Sequence, residues 1–238
     1  MRILLVNDDG INGLYLKDSI RALEEFGEVL VTVPSTEKSG ASVSLTVYKG
    51  ATYHKIDDKT ITVDGTPADC AFIGLRYFDS IDLVVSGANV GPNESYDHLF
   101  SGTVGAGLAA SLFSKKVIML SADFGETRVY EKTRQIMKFI LDNHIMDICS
   151  ILSVNYPFKA FPEPLGYKVG RIDSFPNNEM FNKDESSVKT YRQKLSKEEG
   201  TDRYYTSNGY YALTPLFPSF EDKKLSTKLR KYLEEINS

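Results

Sequence analysis

Short apolar segments alternate with helical segments through the first 157 residues of this sequence. Continuous apolar runs predict buried strands at 2–6, 28–34, 81–87, 117–123 and 148–157, with shorter β-like pieces within 44–64. Apolar spacing and helix-start residues predict helices at 14–26, 66–78, 101–113 and 128–144. Strands that alternate with helices are typical of a mostly parallel sheet flanked by helices, so the sequence predicts an α/β fold.

The chain changes character after Pro157. Prolines become frequent, residues 183–205 are polar and are expected to be exposed, residues 209–216 predict one more strand, and a charged helix is expected from Glu221 onward. We therefore divide the chain into a core at 1–156 and a C-terminal extension at 157–238. The extension looks too irregular to form a core by itself, so we expect it to pack on a second subunit in a homodimer or larger homo-oligomer.

The charge balance is mildly acidic, with 28 Lys and Arg against 32 Asp and Glu in 238 residues. This balance argues against nucleic acid and membrane surfaces as partners, although it allows a small phosphorylated ligand. The two cysteines lie in apolar stretches and indicate no disulfide framework. The first residues already predict a strand, and no apolar run approaches the roughly 20 residues of a membrane span, so a cytoplasmic location is expected.

Two adjacent carboxylates, Asp8 and Asp9, follow the first predicted strand directly. In α/β folds ligands bind beyond the carboxyl ends of the strands, which is where this pair would lie. Two neighbouring ionised carboxylates repel each other, and a bound divalent cation would offset that cost. The alternative is a plain turn, because Asn, Asp and Gly are all turn residues.

Two further polar loops, at 35–44 and 86–107, follow other strands of the predicted sheet. Because parallel strands end at the same edge, these loops are expected to meet the acidic pair in one cleft. They add a hydroxyl and an amide oxygen as candidate donors, and hard oxygen donors suit Mg²⁺ or Mn²⁺ better than zinc. The candidate metal ligands are Asp8, Asp9, Ser39 and Asn89.

The long second loop ends in Ser101, Gly102 and Thr103 at the start of a predicted helix. The first N–H groups of a helix have no partner within the helix, and together with the helix dipole they can hold a phosphate. The alternative is that Ser101 or Thr103 simply caps the helix.

Six short motifs, taken together, resemble the SurE survival-protein family. They are NDDG at 7–10, SGAS at 39–42, GTPADC at 65–70, SGANVGPN at 86–93, SGTVGA at 101–106 and GYYALTPL at 209–216. The resemblance implies a Rossmann-like core, an extension used in dimerisation and a cytoplasmic 5'-nucleotidase that hydrolyses nucleoside monophosphates with one divalent metal ion per subunit. It carries the metal ligands over to Asp8, Asp9, Ser39 and Asn89. It also places Asn93, Ser101, Gly102 and Thr103 on the substrate side.

This sequence departs from the family pattern near the expected pocket. Glu94 and Ser95 replace a common Leu-Gly pair, Ala109 stands where many members have Glu, and the segment after NDDG lacks the usual Ala-x-Gly spacing. None of these positions is a candidate metal ligand. They bear instead on the shape of the pocket and therefore on the preferred substrate.

Other functions and roles are compatible with parts of the sequence. A receiver domain would need a carboxylate at the end of the third core strand, where this chain has VVSGAN. A non-catalytic nucleotide- or phosphate-binding module is a stronger alternative, although phosphate binding alone does not favour two carboxylates.

His98 is expected to be an exposed loop residue, with proton transfer as its alternative role. The attacking group is open between a water molecule and one of the two aspartates.

Overall fold

The computed structural model describes residues 1–113, 115–172, 198–218 and 222–236. Its strands are β1 Arg2–Val6, β2 Glu28–Pro34, β3 Thr52–Lys55, β4 Thr60–Asp64, β5 Leu83–Val90, β6 Lys116–Ala122, β7 Ile151–Asn155, β8 Gly166–Val169 and β9 Tyr210–Pro215. Its helices are α1 Leu16–Glu24, α2 Pro67–Tyr77, α3 Asp97–Phe100, α4 Gly102–Ser111, α5 Val129–Asp142, α6 Ile145–Ile148, α7 Asp202–Ser207 and α8 Lys223–Ile236.

The described strands form one sheet in the order β3-β4-β2-β1-β5-β6-β7-β9-β8. The six consecutive strands β4-β2-β1-β5-β6-β7 run parallel to one another, which confirms the predicted mostly parallel α/β sheet. β3 pairs antiparallel at one edge, and β9 pairs antiparallel with β7 near the other. β9 and β8 come from the C-terminal extension, so part of that extension continues the same sheet.

Alternate residues of β1 are buried in two different cores. Ile3 and Leu5 pack on the side of α1 and α5, whereas Leu4 and Val6 pack on the side of α2 and α4. Successive side chains of a strand point to opposite faces, so a strand covered on both faces must be apolar throughout. The uninterrupted apolar run at the start of the sequence is explained by this double burial.

Side-chain caps fix the starts of two helices that border the site. Thr66 accepts a hydrogen bond from the Asp69 N–H, and the Asp69 carboxylate accepts one from the Thr66 N–H, which makes a capping box with Pro67 as the first helical residue. Ser101 accepts a hydrogen bond from the Val104 N–H and so begins α4. Ser101 therefore does cap α4, and the backbone N–H groups of Gly102 and Thr103 remain for partners outside the helix.

The polar segment expected to be exposed at 183–205 is only partly described, since 183–197 lie outside the described residues. Within the described part, Glu198 and Glu199 are exposed as expected, whereas the expectation is wrong for Asp202 and Arg203, which begin α7 and are buried. They are buried because they bond the loop after β5: an Asp202 oxygen accepts the Ser95 N–H at 2.8 Å. α3, α6, α7 and β8 were not predicted, whereas the charged C-terminal helix was.

None of the helices in the described part of the chain is both long enough and apolar enough to cross a membrane.

Candidate active site

Loops at the carboxyl ends of β1, β2 and β5 enclose an open pocket of about 440 Å³. We call it the acidic pocket. Six of the eight predicted site residues line it: Asp8, Asp9, Ser39, Asn89, Asn93 and Ser101. Sequence reasoning missed the other lining residues, which are Glu37, Gly40, Val90, Gly91, Pro92, Asp97, Phe100 and Phe124. Gly102 and Thr103 do not line the pocket.

The turn that follows β1 is made by Asn7 and Gly10. The Asn7 amide donates to the Gly10 carbonyl at 3.1 Å, and its oxygen accepts the Gly10 N–H at 3.1 Å. Gly10 has a φ of 81°, which a residue with a side chain rarely adopts. The predicted turn therefore exists, and it uses only the outer residues of NDDG. Asp8 and Asp9 are left to face the acidic pocket.

Asp8 is held rigidly and is only 3% exposed. Its Oδ1 accepts the Thr103 hydroxyl at 2.5 Å. Burial raises the pKa of Asp8, while the Thr103 hydroxyl and the backbone N–H groups of Thr103 and Gly102 lower it. The start of α4 thus acts on Asp8 directly. Its role in holding phosphate stays a prediction.

Gly102 fits against Asp8 with no room for a side chain. A Cβ atom at Gly102 would lie 2.8 Å from the Asp8 Cβ and 2.9 Å from its Oδ2, closer than such contacts normally come. It would also lie 3.0 Å from the Cγ of Pro67. The missing side chain of Gly102 therefore serves the placement of Asp8.

Asp9 is the more accessible carboxylate of the pair. Burial raises its pKa to about 6, and the charges of Asp8 and Glu37 raise it as well, whereas a hydrogen bond from the Val90 N–H lowers it. That bond reaches the Asp9 Oδ2 at 3.3 Å. Asp8 and Asp9 therefore repel each other when both are ionised, as the sequence predicts.

Glu37 is a third carboxylate at the acidic pocket. Its Oε1 accepts the Ser39 hydroxyl at 2.8 Å, so the Ser39 proton is directed toward Glu37 and the hydroxyl lone pairs remain for another partner. The Lys38 N–H donates to the Asp8 carbonyl at 2.8 Å and ties this loop to the end of β1. Glu37 lies two residues before Ser39 in the same loop, and this spacing could have identified it from the sequence.

The two asparagines of the loop after β5 are fixed by the protein. The Asn89 amide NH₂ donates to the Gly91 carbonyl at 2.7 Å, so its oxygen is the atom suited to bind a cation. Asn93 is buried: its backbone N–H donates to Asn155 at 2.8 Å and its amide NH₂ donates to Ser121 at 2.9 Å. These bonds hold both side chains at the pocket without help from a ligand.

The donors at the acidic pocket fit one hard divalent cation. In the described part of the chain, no three or more His, Cys, Asp or Glu side chains form a group that could hold a metal ion. The Ser39 hydroxyl and the Asn89 amide oxygen are further oxygen donors that line the pocket with Asp8 and Asp9. An all-oxygen set of this kind suits Mg²⁺ or Mn²⁺.

The expectation that His98 is an exposed loop residue is wrong. His98 is 7% exposed because it lies in α3, where its Nδ1–H donates to the Ser95 carbonyl at 2.9 Å. Its Nε2 pairs with the Ser153 hydroxyl at 3.0 Å. His98 does not line the acidic pocket, so its geometry gives no support to a role in proton transfer there.

Comparison with known proteins relates the whole chain to one family. A family model described as survival protein SurE matches residues 3–176. The chain is 31% identical to a 5'-nucleotidase SurE from Histophilus somni over 99% of this chain and 100% of that protein. It is 31% identical to a 5'/3'-nucleotidase SurE from Wigglesworthia glossinidia brevipalpis over 98% of each chain.

A solved structure supports the same relation. The crystal structure of the SurE protein from Aquifex aeolicus is similar with a TM-score of 0.83 and 32% sequence identity. The match covers 98% of this chain and 100% of that one, so it includes the C-terminal extension.

Proposed function

Because the chain belongs to the SurE family, we propose that it is a 5'-nucleotidase that hydrolyses nucleoside monophosphates to nucleoside and inorganic phosphate. The observation that carries this proposal is the acidic pocket itself, where Asp8, Asp9, Ser39 and Asn89 lie together beyond the strand ends. A module that only binds phosphate would favour positive charge, whereas this pocket presents carboxylates.

We further propose that these four residues hold one Mg²⁺ or Mn²⁺ ion per subunit. When bound, such an ion neutralises charge on a phosphoryl group and so permits its approach to two aspartates. Asp8 is suited to a fixed ligand role, because it is buried and oriented by Thr103. The other proposed ligands are the Asp9 carboxylate and two neutral oxygen donors, the Ser39 hydroxyl and the Asn89 amide oxygen.

Asp9 is the residue best placed to handle a proton. It is more accessible than Asp8, so its carboxylate can accept a proton from a water molecule held beside it. We propose that Asp9 orients and deprotonates an attacking water. Direct attack of an aspartate on phosphorus is the alternative, and burial of Asp8 makes Asp9 the better candidate for that route too.

We propose that the phosphate lies between the cation ligands and the start of α4. Ser101 and Asn93 face the acidic pocket, and the N-terminus of α4 adds about half a positive charge. Gly102 and Thr103 contribute through Asp8, since their N–H groups lower its pKa. These four residues form the proposed substrate side.

A panel of phosphomonoesters assayed with different divalent metals tests this function. We expect hydrolysis of nucleoside monophosphates that chelation abolishes and that Mg²⁺ or Mn²⁺ restores, because the two aspartates repel phosphate without a cation. Nucleotide binding with no turnover under any metal would favour the binding-module alternative. Full activity in excess chelator, with metal content measured as nil, would contradict the metal-dependent mechanism.

We also propose that the C-terminal extension makes a homodimer or larger homo-oligomer. Four side chains along α8 support this, since they are spaced for one helix face and are 44–61% exposed in the single chain: Leu225, Leu229, Tyr232 and Leu233. A helix with such a stripe gains stability by burying it against a second subunit.

A cytoplasmic location also remains our proposal, supported by the two free cysteines.

Light scattering checks the assembly. We expect at least a dimer at micromolar concentration, and we expect Leu229→Glu to shift it toward monomer because the new charge would have to be buried. Lys231→Glu is the matched control, since it makes the same kind of charge change on the opposite face of the same helix. A monomeric wild type, or a Leu229→Glu protein that assembles normally, would refute this interface.

A further inference from the structure

We propose that the buried ion pair of Glu94 and Arg203 positions Asp97, and that Asp97 recognises the ribose hydroxyls of the substrate. This inference rests on the proposed nucleotidase function and extends it to the recognition of the nucleoside by a further residue of the acidic pocket. It assigns a role to Glu94, which stands where the family commonly has Leu.

Glu94 is 1% exposed, and both of its carboxylate oxygens have partners on α7. The Thr206 hydroxyl donates to one oxygen, and the Arg203 Nε donates to the other at 3.3 Å. Burial raises the pKa of Glu94 to about 7, the Thr206 hydroxyl and Arg203 act against this rise, and the charge of Asp202 adds to it. The buried acid is therefore kept at an electrostatic cost.

Arg203 connects this buried acid to the acidic pocket. Its side chain is 7% exposed, and its Nη2 lies 3.6 Å from the Asp97 Oδ2. Asp97 lines the pocket, and its side chain is 43% exposed. The Arg203 guanidinium thus pairs with two carboxylates: Glu94, which is buried and does not line the pocket, and Asp97, which does line it.

The backbone around Asp97 is anchored to the same helix. The Ser95 N–H donates to Asp202 at 2.8 Å, and the Asp97 N–H donates to the Glu94 carbonyl at 3.0 Å. Placement of α7 therefore determines placement of the segment from Glu94 to Asp97. The positive charge of the Arg203 guanidinium then favours orientations of the Asp97 side chain in which the carboxylate faces it.

Stability alone does not account for the pair. A buried ion pair is often no more stabilising than apolar side chains of similar size, because both charges lose their hydration. The arginine, by contrast, places a positive charge 3.6 Å from the Asp97 carboxylate, which an apolar side chain cannot do.

The chemistry of Asp97 indicates what it binds. An ionised carboxylate only accepts hydrogen bonds, and it repels phosphate, so it belongs opposite the part of the substrate that donates. In a nucleoside monophosphate the ribose hydroxyls are such donors. Asp97 held in one orientation would favour ribonucleotides over 2'-deoxyribonucleotides.

Kinetics of Glu94→Leu/Arg203→Leu test the proposal with AMP, dAMP and p-nitrophenyl phosphate. The double variant removes Glu94 and Arg203 together, so neither member of the pair is left buried without the other, and thermal unfolding checks that the variant folds. We expect KM for AMP to rise by about tenfold, the loss of one charge-assisted hydrogen bond, while kcat and KM for the sugar-free ester stay unchanged. The preference for AMP over dAMP should disappear.

Three further variants sharpen the result. Asp97→Asn should reproduce the KM rise for AMP, and Arg203→Lys should restore part of the preference for ribose because it keeps the charge. Glu126→Leu/Lys132→Leu is the matched control, since it removes another buried pair, 2.6 Å apart, whose residues do not line the pocket. It should leave KM for all three substrates unchanged.

An unchanged KM for AMP in the double variant, or an equal rise for AMP and p-nitrophenyl phosphate, would overturn the positioning role. Retained ribose preference in Asp97→Asn would overturn the ribose assignment. A wild type that hydrolyses none of the three esters would instead overturn the nucleotidase function, and this inference with it.

Discussion

Asp9→Asn is expected to lower kcat for nucleoside monophosphates by at least about 100-fold and to raise the melting temperature of the metal-free protein. The loss of activity follows because the amide cannot take up a proton and is a weaker cation ligand. The gain in stability follows because the substitution removes a half-buried charge next to Asp8. Phosphate release and thermal unfolding in chelator measure the two effects.

The stability gain should depend on pH in a defined direction. The pKa of Asp9 is raised from 3.8 to about 6, so the folded state binds this proton more tightly than the unfolded chain. Wild-type stability therefore falls as pH rises through that window, and the loss remains at neutral pH. Allowing for solvent screening, we expect a gain on the order of 1 kcal/mol, or about 2–4 °C, above the window. Below it the gain should vanish.

Asp18→Asn provides the matched control, since Asp18 is a carboxylate on α1 whose side chain is 41% exposed. It should change neither turnover nor melting temperature appreciably. Normal turnover in Asp9→Asn would argue decisively against a catalytic aspartate pair. A lower melting temperature for Asp9→Asn than for the wild type would show that ionised Asp9 stabilises the folded protein.

Gly102→Ala is expected to lower both the affinity for Mn²⁺ and kcat by about tenfold or more, because a Cβ atom would displace the Asp8 carboxylate. Because that Cβ would point toward Asp8, Mn²⁺ binding should already be weaker in the substrate-free protein. Calorimetric titration of the substrate-free protein with Mn²⁺ measures it.

Gly107→Ala on the same helix is the control, because its Cβ would meet the side chains of Met119 and Val117 and not a site residue. It should cost stability and leave metal affinity unchanged. If Gly102→Ala binds Mn²⁺ normally and only KM for the nucleotide rises, Gly102 serves the approach of phosphate and not the placement of Asp8.

The parallel half of the sheet was predictable from sequence because each strand is covered on both faces. β2 is apolar from Val29 to Val33 except at Thr32, and its bounds agree with the predicted segment. The same logic located the candidate ligands, since parallel strands end at one edge and bring Asp8, Ser39 and Asn89 into one pocket. Whether they bind a metal remains our proposal.

The parts that escaped prediction depend on partners distant in sequence. α7 reads as an exposed polar segment, because nothing local reveals that Arg203 meets Glu94, 109 residues earlier. β8 is four residues long and has no alternating pattern strong enough to identify it. The proximity of Gly102 to Asp8 is likewise invisible until the two elements are packed together.

The position of β9 between β7 and β8 imposes an order on sheet assembly. Among the described strands, β8 at Gly166–Val169 has β9 at Tyr210–Pro215 as its one neighbour. On a ribosome, β8 therefore emerges before the strand that it needs, and it must wait until β9 has left the exit tunnel. The parallel strands up to β7 precede β9 in the chain and can pair earlier, so among the described strands we expect this edge of the sheet to close last.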